Sequence, residues 1–140
     1  MIDTRTAPYA ALVLRVNLGV MFIAHALLKI LVFTLPGTAQ FFGSVGLPEW
    51  LAYPVTVMEL VGGAMLIAGI WSRWVALALV PILLGATGVH WGNGWLFTAP
   101  NGGWEYPVFL TVAAIAQALL GDGAYALRAG TSSASRLQHA

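Results

Sequence analysis

The sequence predicts an all-α polytopic membrane protein, an antiparallel bundle of four transmembrane helices with a short interfacial segment between helices one and two. Three observations predict this fold. Of the 140 residues, 59% are hydrophobic and only 8% are charged, whereas a soluble domain of this size carries far more charge. Breaker residues separate four apolar stretches. The positively charged residues outside these stretches fall on one side of the arrangement that the stretches imply.

The first helix is expected at about residues 9–35, which is longer than the roughly 20 apolar residues that a span requires. Pro8 suits its first turn, where a missing backbone N–H is tolerated. Arg15 interrupts the apolar stretch, and hydrophobicity continues beyond Ala24-His25-Ala26. This segment is therefore expected to be an uncleaved signal-anchor rather than a cleaved signal peptide.

Residues 36–49 connect the first apolar stretch to the second. They include Phe41 and Phe42 among small residues, which predicts a short re-entrant or interfacial helix over the outer mouth of the bundle. The second helix, at about residues 51–71, follows the breaker Gly46-Leu47-Pro48.

The third and fourth helices are expected at about residues 74–90 and 104–127. The link Ser72-Arg73 is so short that it must form a tight hairpin turn. Residues 91–104 are rich in Gly, Asn and Trp and predict an ordered lid. The apolar part of the fourth stretch is short for a span, unless the residues that flank it extend the helix.

These elements form a single membrane domain over residues 1–129, and the Ser-rich tail at residues 130–140 is predicted to be a disordered cytoplasmic segment. The two outer loops contain no Lys or Arg. With both termini in the cytoplasm, the inner side receives four arginines, Arg5, Arg73, Arg128 and Arg136. This distribution follows the positive-inside rule.

Ionisable residues inside or at the ends of the apolar stretches mark the candidate functional site, because charge in hydrocarbon is costly. They are Arg15, His25, Lys29, Glu59, His90 and Glu105. Glu105 and Lys29 also fit the membrane edge, where a long side chain reaches water and Glu caps a helix. At 1.5 Å of rise per residue, all of them except Arg15 reach the outer half of the bundle.

Depth and charge predict which of these groups meet. His25 and Lys29 lie one helical turn apart and share a face, and Glu59 reaches a similar depth from the opposite direction. Lys29 with Glu59, or His25 with Glu59, is the natural pair, because an unpaired carboxylate there would be protonated or would destabilise the fold. Arg15 is expected to be satisfied by Asn17 or by a lipid phosphate.

Two interpretations of this constellation stay open. In one, the polar groups are a structural clasp that holds helices one and two together. In the other, His25 and Glu59 exchange protons in a pocket that binds a ligand with carbonyl or hydroxyl oxygens, and quinone is the obvious lipid-soluble ligand of that kind. The chain contains no cysteine, so electrons would come from a partner or a bound cofactor.

Other classes of site find less support. The net charge of +1 and the lack of a basic run disfavour nucleic acid as a partner. No HxxH, ExxH or CxxC spacing occurs, and no metal site is predicted. Haem held by His25 and His90 is chemically reasonable, but it is disfavoured because His90 ends a helix and no second His pair exists.

Several stretches resemble the DoxX family of small bacterial four-helix membrane proteins. They are Gly46-Leu47-Pro48, Glu59-Leu60-Val61-Gly62-Gly63, Gly69-Ile70-Trp71-Ser72-Arg73 and, most specifically, Asn101-Gly102-Gly103-Trp104-Glu105-Tyr106-Pro107. The first helix is similar through the order of Arg15, Phe22, His25 and Lys29. The resemblance implies a bacterial inner-membrane protein that is linked to quinone-dependent oxidoreduction and to oxidative-stress metabolism.

Residues and resemblance together give His25 and Glu59 as candidate catalytic residues. The candidate ligand-binding residues are Arg15, Phe22, Lys29, His90, Trp104 and Glu105. Expected partners are membrane lipids and either a redox partner protein or further copies of the chain. A non-catalytic assembly or anchoring subunit is the alternative, and a small-solute transporter is weakened by the lack of inverted repeats.

Overall fold

Residues 1–127 are described by a computed structural model and form five α-helices without a strand. This confirms the predicted all-α class. The predicted tail at residues 130–140 lies outside the described residues, as do Arg128 and Arg136, which contributed to the predicted orientation.

The first apolar stretch is interrupted before its predicted end. Helix α1 (Ala7–Leu27) continues as a π-helical turn (Leu28–Val32). At Thr34 the backbone turns to φ 64°, and the Thr34 hydroxyl accepts a hydrogen bond from the N–H of Gly37. This cap begins helix α2 (Leu35–Ser44), which occupies the predicted segment between the first two long helices.

The hairpin between the next two helices lies slightly earlier than predicted. A 3₁₀ turn (Glu49–Leu51) leads into α3 (Ala52–Ala68), and α4 (Ser72–His90) begins at the residue that was expected to form the turn. Gly69, at φ 73°, terminates α3 in the left-handed conformation that glycine adopts without steric cost. The N–H of Ser72 donates to Oδ1 of Asp122 at 2.8 Å, which satisfies one of the free donors at the start of α4.

The last helix, α5 (Glu105–Leu120), ends well before residue 127. Gly121, at φ 82°, breaks the helix, and the following segment returns across the ends of two other helices. The N–H of Ala124 donates to the carbonyl of Pro8 at 2.9 Å, and the N–H of Leu127 donates to that of Ala68 at 3.1 Å. Backbone partners elsewhere in the fold thus replace the last turns of the predicted helix.

Three helical segments are long and apolar enough to cross a membrane, Ala7–Val32 with 26 residues, Glu49–Ala68 with 20 and Ser72–Asn93 with 22. Helix α5 is apolar but has only 16 residues. Within the described chain, three helices therefore support the prediction of a membrane protein.

The helices pack mainly as two pairs, α1 with α3 and α4 with α5. In the first pair the backbones approach closely at two glycines, since a Cβ added to Gly19 would lie 2.6 Å from the carbonyl oxygen of Gly63. Between the pairs lies an apolar core that includes Leu18, Phe22, Leu66, Leu79 and Leu83. Both pairs contribute to the site described next.

Candidate functional site

A cavity of 490 Å³ lies among the helices, and all five helices contribute to its wall. Most of the wall is apolar, with Phe22, Phe42 and Leu110 among the lining side chains. The lining side chains with nitrogen or oxygen atoms are His25, Lys29, Glu59, His90 and Tyr106. The cavity therefore brings together five of the eight predicted site residues, namely His25, Lys29, Glu59, His90 and Phe22.

Lys29 and Glu59 form an ion pair across α1 and α3. The Lys29 Nζ lies 2.6 Å from Oε2 of Glu59, and the two side chains are only 16% and 6% exposed. Lys29 belongs to the π-helical turn that follows α1. This contact is the first of the two predicted pairs, and it places an ammonium donor and a carboxylate acceptor in an apolar wall.

His25 takes a different partner from the predicted carboxylate. Its Nδ1 lies 2.9 Å from the carbonyl oxygen of Met21 on the same helix. Because a carbonyl oxygen only accepts, Nδ1 carries a proton and donates it to this bond, and Nε2 is the ring nitrogen that Met21 does not engage. The ring stacks on Tyr106 at a centroid distance of 6.0 Å, and the Tyr106 hydroxyl donates to the sulfur of Met21.

His90 ends α4 beside the cavity, and its Nδ1 is buried without a hydrogen-bond partner among the described residues. A buried polar atom without a partner is costly, and a bound ligand or water would relieve that cost. The turn at Asn101 and Gly102 packs beside this ring, since a Cβ on Gly102 would lie 4.0 Å from Cε1 of His90.

Trp104 and Glu105 do not line the cavity but organise the loop beside it. The Trp104 ring stacks on Trp91 with centroids 5.1 Å apart, and Oε1 of Glu105 accepts a hydrogen bond from the N–H of Phe97 at 3.0 Å. Asn101 and Gly102 both adopt positive φ, and the side chain of Asn93 donates to the carbonyl of Gly102 at 2.9 Å. The loop of residues 91–104 is accordingly held by specific contacts.

Arg15 lies at the opposite end of the helices, away from the cavity. Its side chain is 1% exposed. It donates at 3.0 and 2.6 Å to the carbonyls of Leu66 and Ile67, and at 2.8 Å to those of Asp122 and Ala124. These carbonyls belong to the end of α3 and to the segment after α5. Asn17 donates to Val13 on its own helix, so backbone groups, and not Asn17, satisfy the guanidinium.

Sequence reasoning did not assign Tyr106 or Met21 to the site, although both line the cavity. Tyr106 stands in the first turn of α5, and Met21 lies one turn before His25 on α1. A polar aromatic residue at the start of an apolar helix, and the spacing of four residues from Met21 to His25, were the available signals. Among residues 1–127, no three His, Cys, Asp or Glu side chains are grouped to hold a metal ion.

Comparison with known proteins adds two similarities. The sequence model of the DoxX family matches residues 10–92. The chain is also 41% identical over 75 residues to the Bacillus subtilis (strain 168) protein named "Putative oxidoreductase CatD". The match covers 54% of either protein, so the chain spans about half the length of this curated relative. No solved structure matches the chain.

Proposed function

The chain belongs to the DoxX family, as its motifs predicted, and from this premise we propose that it binds a quinone-like molecule in its cavity and serves membrane-linked oxidoreduction. It acts there as a quinone-binding accessory protein or as a subunit of a quinone oxidoreductase. The name of the Bacillus relative, an oxidoreductase, supports the reaction class. The cavity supports the ligand class.

The observation that carries this proposal is the combination of space and sparse polarity in the cavity. Its volume of 490 Å³ falls within the range of about 300–1,000 Å³ typical of small-molecule sites, whose apolar walls carry a few orienting polar groups. Here those groups are the Lys29–Glu59 pair and the buried Nδ1 of His90. An apolar ring that bears two oxygens suits such a wall.

The polar groups also suit both redox forms of a quinone. A quinone carbonyl accepts a hydrogen bond from the Lys29 ammonium or from a protonated Nδ1 of His90, and a quinol hydroxyl donates to Glu59. Reduction takes up two electrons and two protons per ring. The chain has no cysteine to act as a thiol redox centre, and we assign the electrons to a redox partner protein. The protons pass through Glu59 and through Nε2 of His25, the nitrogen that Met21 leaves free.

We further propose that the four long helices, α1, α3, α4 and α5, span the bacterial plasma membrane with both termini in the cytoplasm. Helix α5 has 16 residues and a length of about 24 Å, so the bilayer would thin locally to match it. Arg5 and Arg73 support this orientation through the positive-inside rule. A reporter that is active only outside the cytoplasm should stay silent when fused after residue 140, and strong activity would overturn the orientation.

A titration tests the ligand assignment. The purified protein in nanodiscs is titrated with tetramethyl-1,4-benzoquinone while its tryptophan fluorescence is recorded. Wild type should bind, whereas Lys29→Met with Glu59→Gln should bind at least about tenfold more weakly because the orienting groups are lost. Glu105→Gln is the matched control, since Glu105 lies outside the cavity wall, and it should bind like wild type.

One observation favours a second function, a non-catalytic anchoring or assembly subunit. The Lys29–Glu59 pair joins the two helices that already meet at Gly19 and Gly63, so it also serves as a clasp. If saturating quinone leaves the tryptophan fluorescence of both wild type and the double variant unchanged, the anchoring function replaces the proposed one.

A further inference from the structure

One part of the cavity wall is built from residues that are themselves exposed. Pro81 and Gly85 of α4 line the cavity and are exposed, and Phe41 of α2 lines it with 49% of its surface accessible. The cavity therefore reaches the surface of the protein between α2 and α4.

The packing explains why the wall is open there. Within residues 1–127, α2 makes its main contacts with α3 and with the turns at its own ends, and not with α4. On α4, a Cβ built on Gly85 meets nothing within 4 Å. A proline and a glycine one turn apart thus leave a gap that larger side chains would fill.

We infer that this gap, bounded by Phe41, Pro81 and Gly85, is a lateral portal, and that the ligand is a ring with an alkyl tail. The ring lies in the cavity, with its oxygens at the Lys29–Glu59 pair and at Nδ1 of His90. The tail passes through the portal into the hydrocarbon of the membrane. The inference rests on the proposed function and adds to it the ligand class and the route of entry.

The distribution of polarity supports this orientation of the ligand. The three residues that bound the portal are apolar. Of the groups that can hold ring oxygens, Lys29 and Glu59 belong to other helical segments, and His90 is the last residue of α4. The bordering helix also presents Leu77 and Leu84 outward, with 43% and 55% of their surfaces exposed. In a transmembrane α4 this face contacts lipid tails, so an alkyl chain that leaves the portal stays in an apolar medium.

Two glycines of α4 provide a matched test. Gly85 and Gly88 are both exposed helical residues whose added Cβ would meet nothing within 4 Å, but only Gly85 lines the cavity. Replacing either one by a larger residue should preserve folding, because other residues favour a helix by up to about 1 kcal/mol over glycine. Gly85→Phe is the blocking variant, Gly88→Phe is its control, and Gly85→Leu is the smaller block if the aromatic variant is unstable in a thermal melt.

Each protein in nanodiscs is titrated with tetramethyl-1,4-benzoquinone and with the analogue that carries a decyl chain in place of one methyl. Wild type and Gly88→Phe should bind both probes. Gly85→Phe should bind the decyl probe at least about tenfold more weakly than wild type, because the phenylalanine ring excludes the decyl chain from the portal. Its affinity for the tailless probe should change less than threefold.

The remaining outcomes separate the two proposals. Binding of neither probe by wild type overturns the proposed function, and the portal with it. Binding of both probes by wild type and by Gly85→Phe with unchanged affinities overturns the portal alone. The assignment of a tail is overturned if Gly85→Phe loses affinity equally for both probes. It is also overturned if wild type binds the tailless probe but not the decyl probe.

Discussion

At one end of the helices the guanidinium of Arg15 makes four hydrogen bonds to backbone carbonyls, whereas at the other end the buried Nδ1 of His90 makes none within the described chain. We call the first region, Arg15 with the carbonyls of residues 66, 67, 122 and 124, the arginine clamp. The second region, the cavity wall with Lys29, Glu59 and His90, is the cavity end.

The contrast shows how one small bundle separates stability from binding. The arginine clamp ties α1 to the end of α3 and to the segment after α5, and its donors are used by the protein itself. At the cavity end the polar groups border open space, and one of them lacks a partner. Satisfied buried groups rigidify a fold, whereas an unsatisfied group beside a cavity is available to a ligand.

The largest effect is expected from breaking the arginine clamp. Arg15→Met removes the guanidinium donor from four carbonyls, and the free energy of unfolding should fall by about 3 kcal/mol or more. The measurement is the thermal unfolding midpoint in detergent. Arg5→Met is the control, because Arg5 is exposed. Equal midpoints for the two variants would show that the clamp does not stabilise the fold.

The next largest effect concerns the ion pair at the cavity end. Glu59→Gln leaves the Lys29 ammonium without its carboxylate in an apolar wall, which should cost about 2–3 kcal/mol of stability. Adding Lys29→Met should restore part of that loss, because no uncompensated charge then remains. A double-mutant cycle in detergent measures the coupling. Strictly additive losses would mean that the pair contributes no interaction energy.

A smaller difference in stability is expected between alanine variants of two glycines, Gly19, which packs closely on α3, and Gly85, which has no close neighbour. Gly19→Ala places a Cβ 2.6 Å from the carbonyl of Gly63, and the overpacking should lower stability by about 1–3 kcal/mol. Gly85→Ala meets no neighbour within 4 Å and should leave stability unchanged or raise it by up to about 1 kcal/mol. Thermal melts of the two variants side by side test this, and the reverse order would contradict the described packing of α1 on α3.

The smallest effect on stability, combined with a clear effect on binding, is expected at His90. His90→Phe removes an unsatisfied buried nitrogen and keeps an aromatic ring, whose slightly larger size the adjoining cavity can accommodate, so the free energy of unfolding should change by less than about 1 kcal/mol. Affinity for tetramethyl-1,4-benzoquinone should nevertheless fall about tenfold. A large loss of stability with unchanged affinity would place His90 among the structural residues, with Arg15.

Much of the fold followed from patterns that are local in sequence. The apolar lengths predicted the helices, because a span requires a nearly continuous run of apolar residues. Boundaries were less predictable. The turn at Gly69 and the early end of α5 at Leu120 depend on Asp122 and on residues 121–127, which bind backbone groups far away in the chain.

Only part of the candidate site could be predicted from the sequence. Lys29 and Glu59 could be paired because helical rise sets their depth and opposite charges attract. By contrast, Trp104 packs on Trp91, and Glu105 serves a backbone N–H of its own loop. No residue type signals a backbone partner, so the role of Glu105 was not predictable. The stacking of Trp104 on Trp91 depends on the fold of the loop and was not predictable from either residue alone.

The sequence by itself thus determined the all-α class, the apolar character of the long helices and the presence of ionisable residues among them, because hydropathy and charge are properties of the residues themselves. Only the tertiary structure decided that Arg15 becomes a clamp and that the wall opens between Phe41 and Gly85. The physical reason is that a backbone carbonyl is the same in every residue and a gap is the absence of a neighbour. Neither leaves a mark in the sequence, so both appear only when the helices are packed.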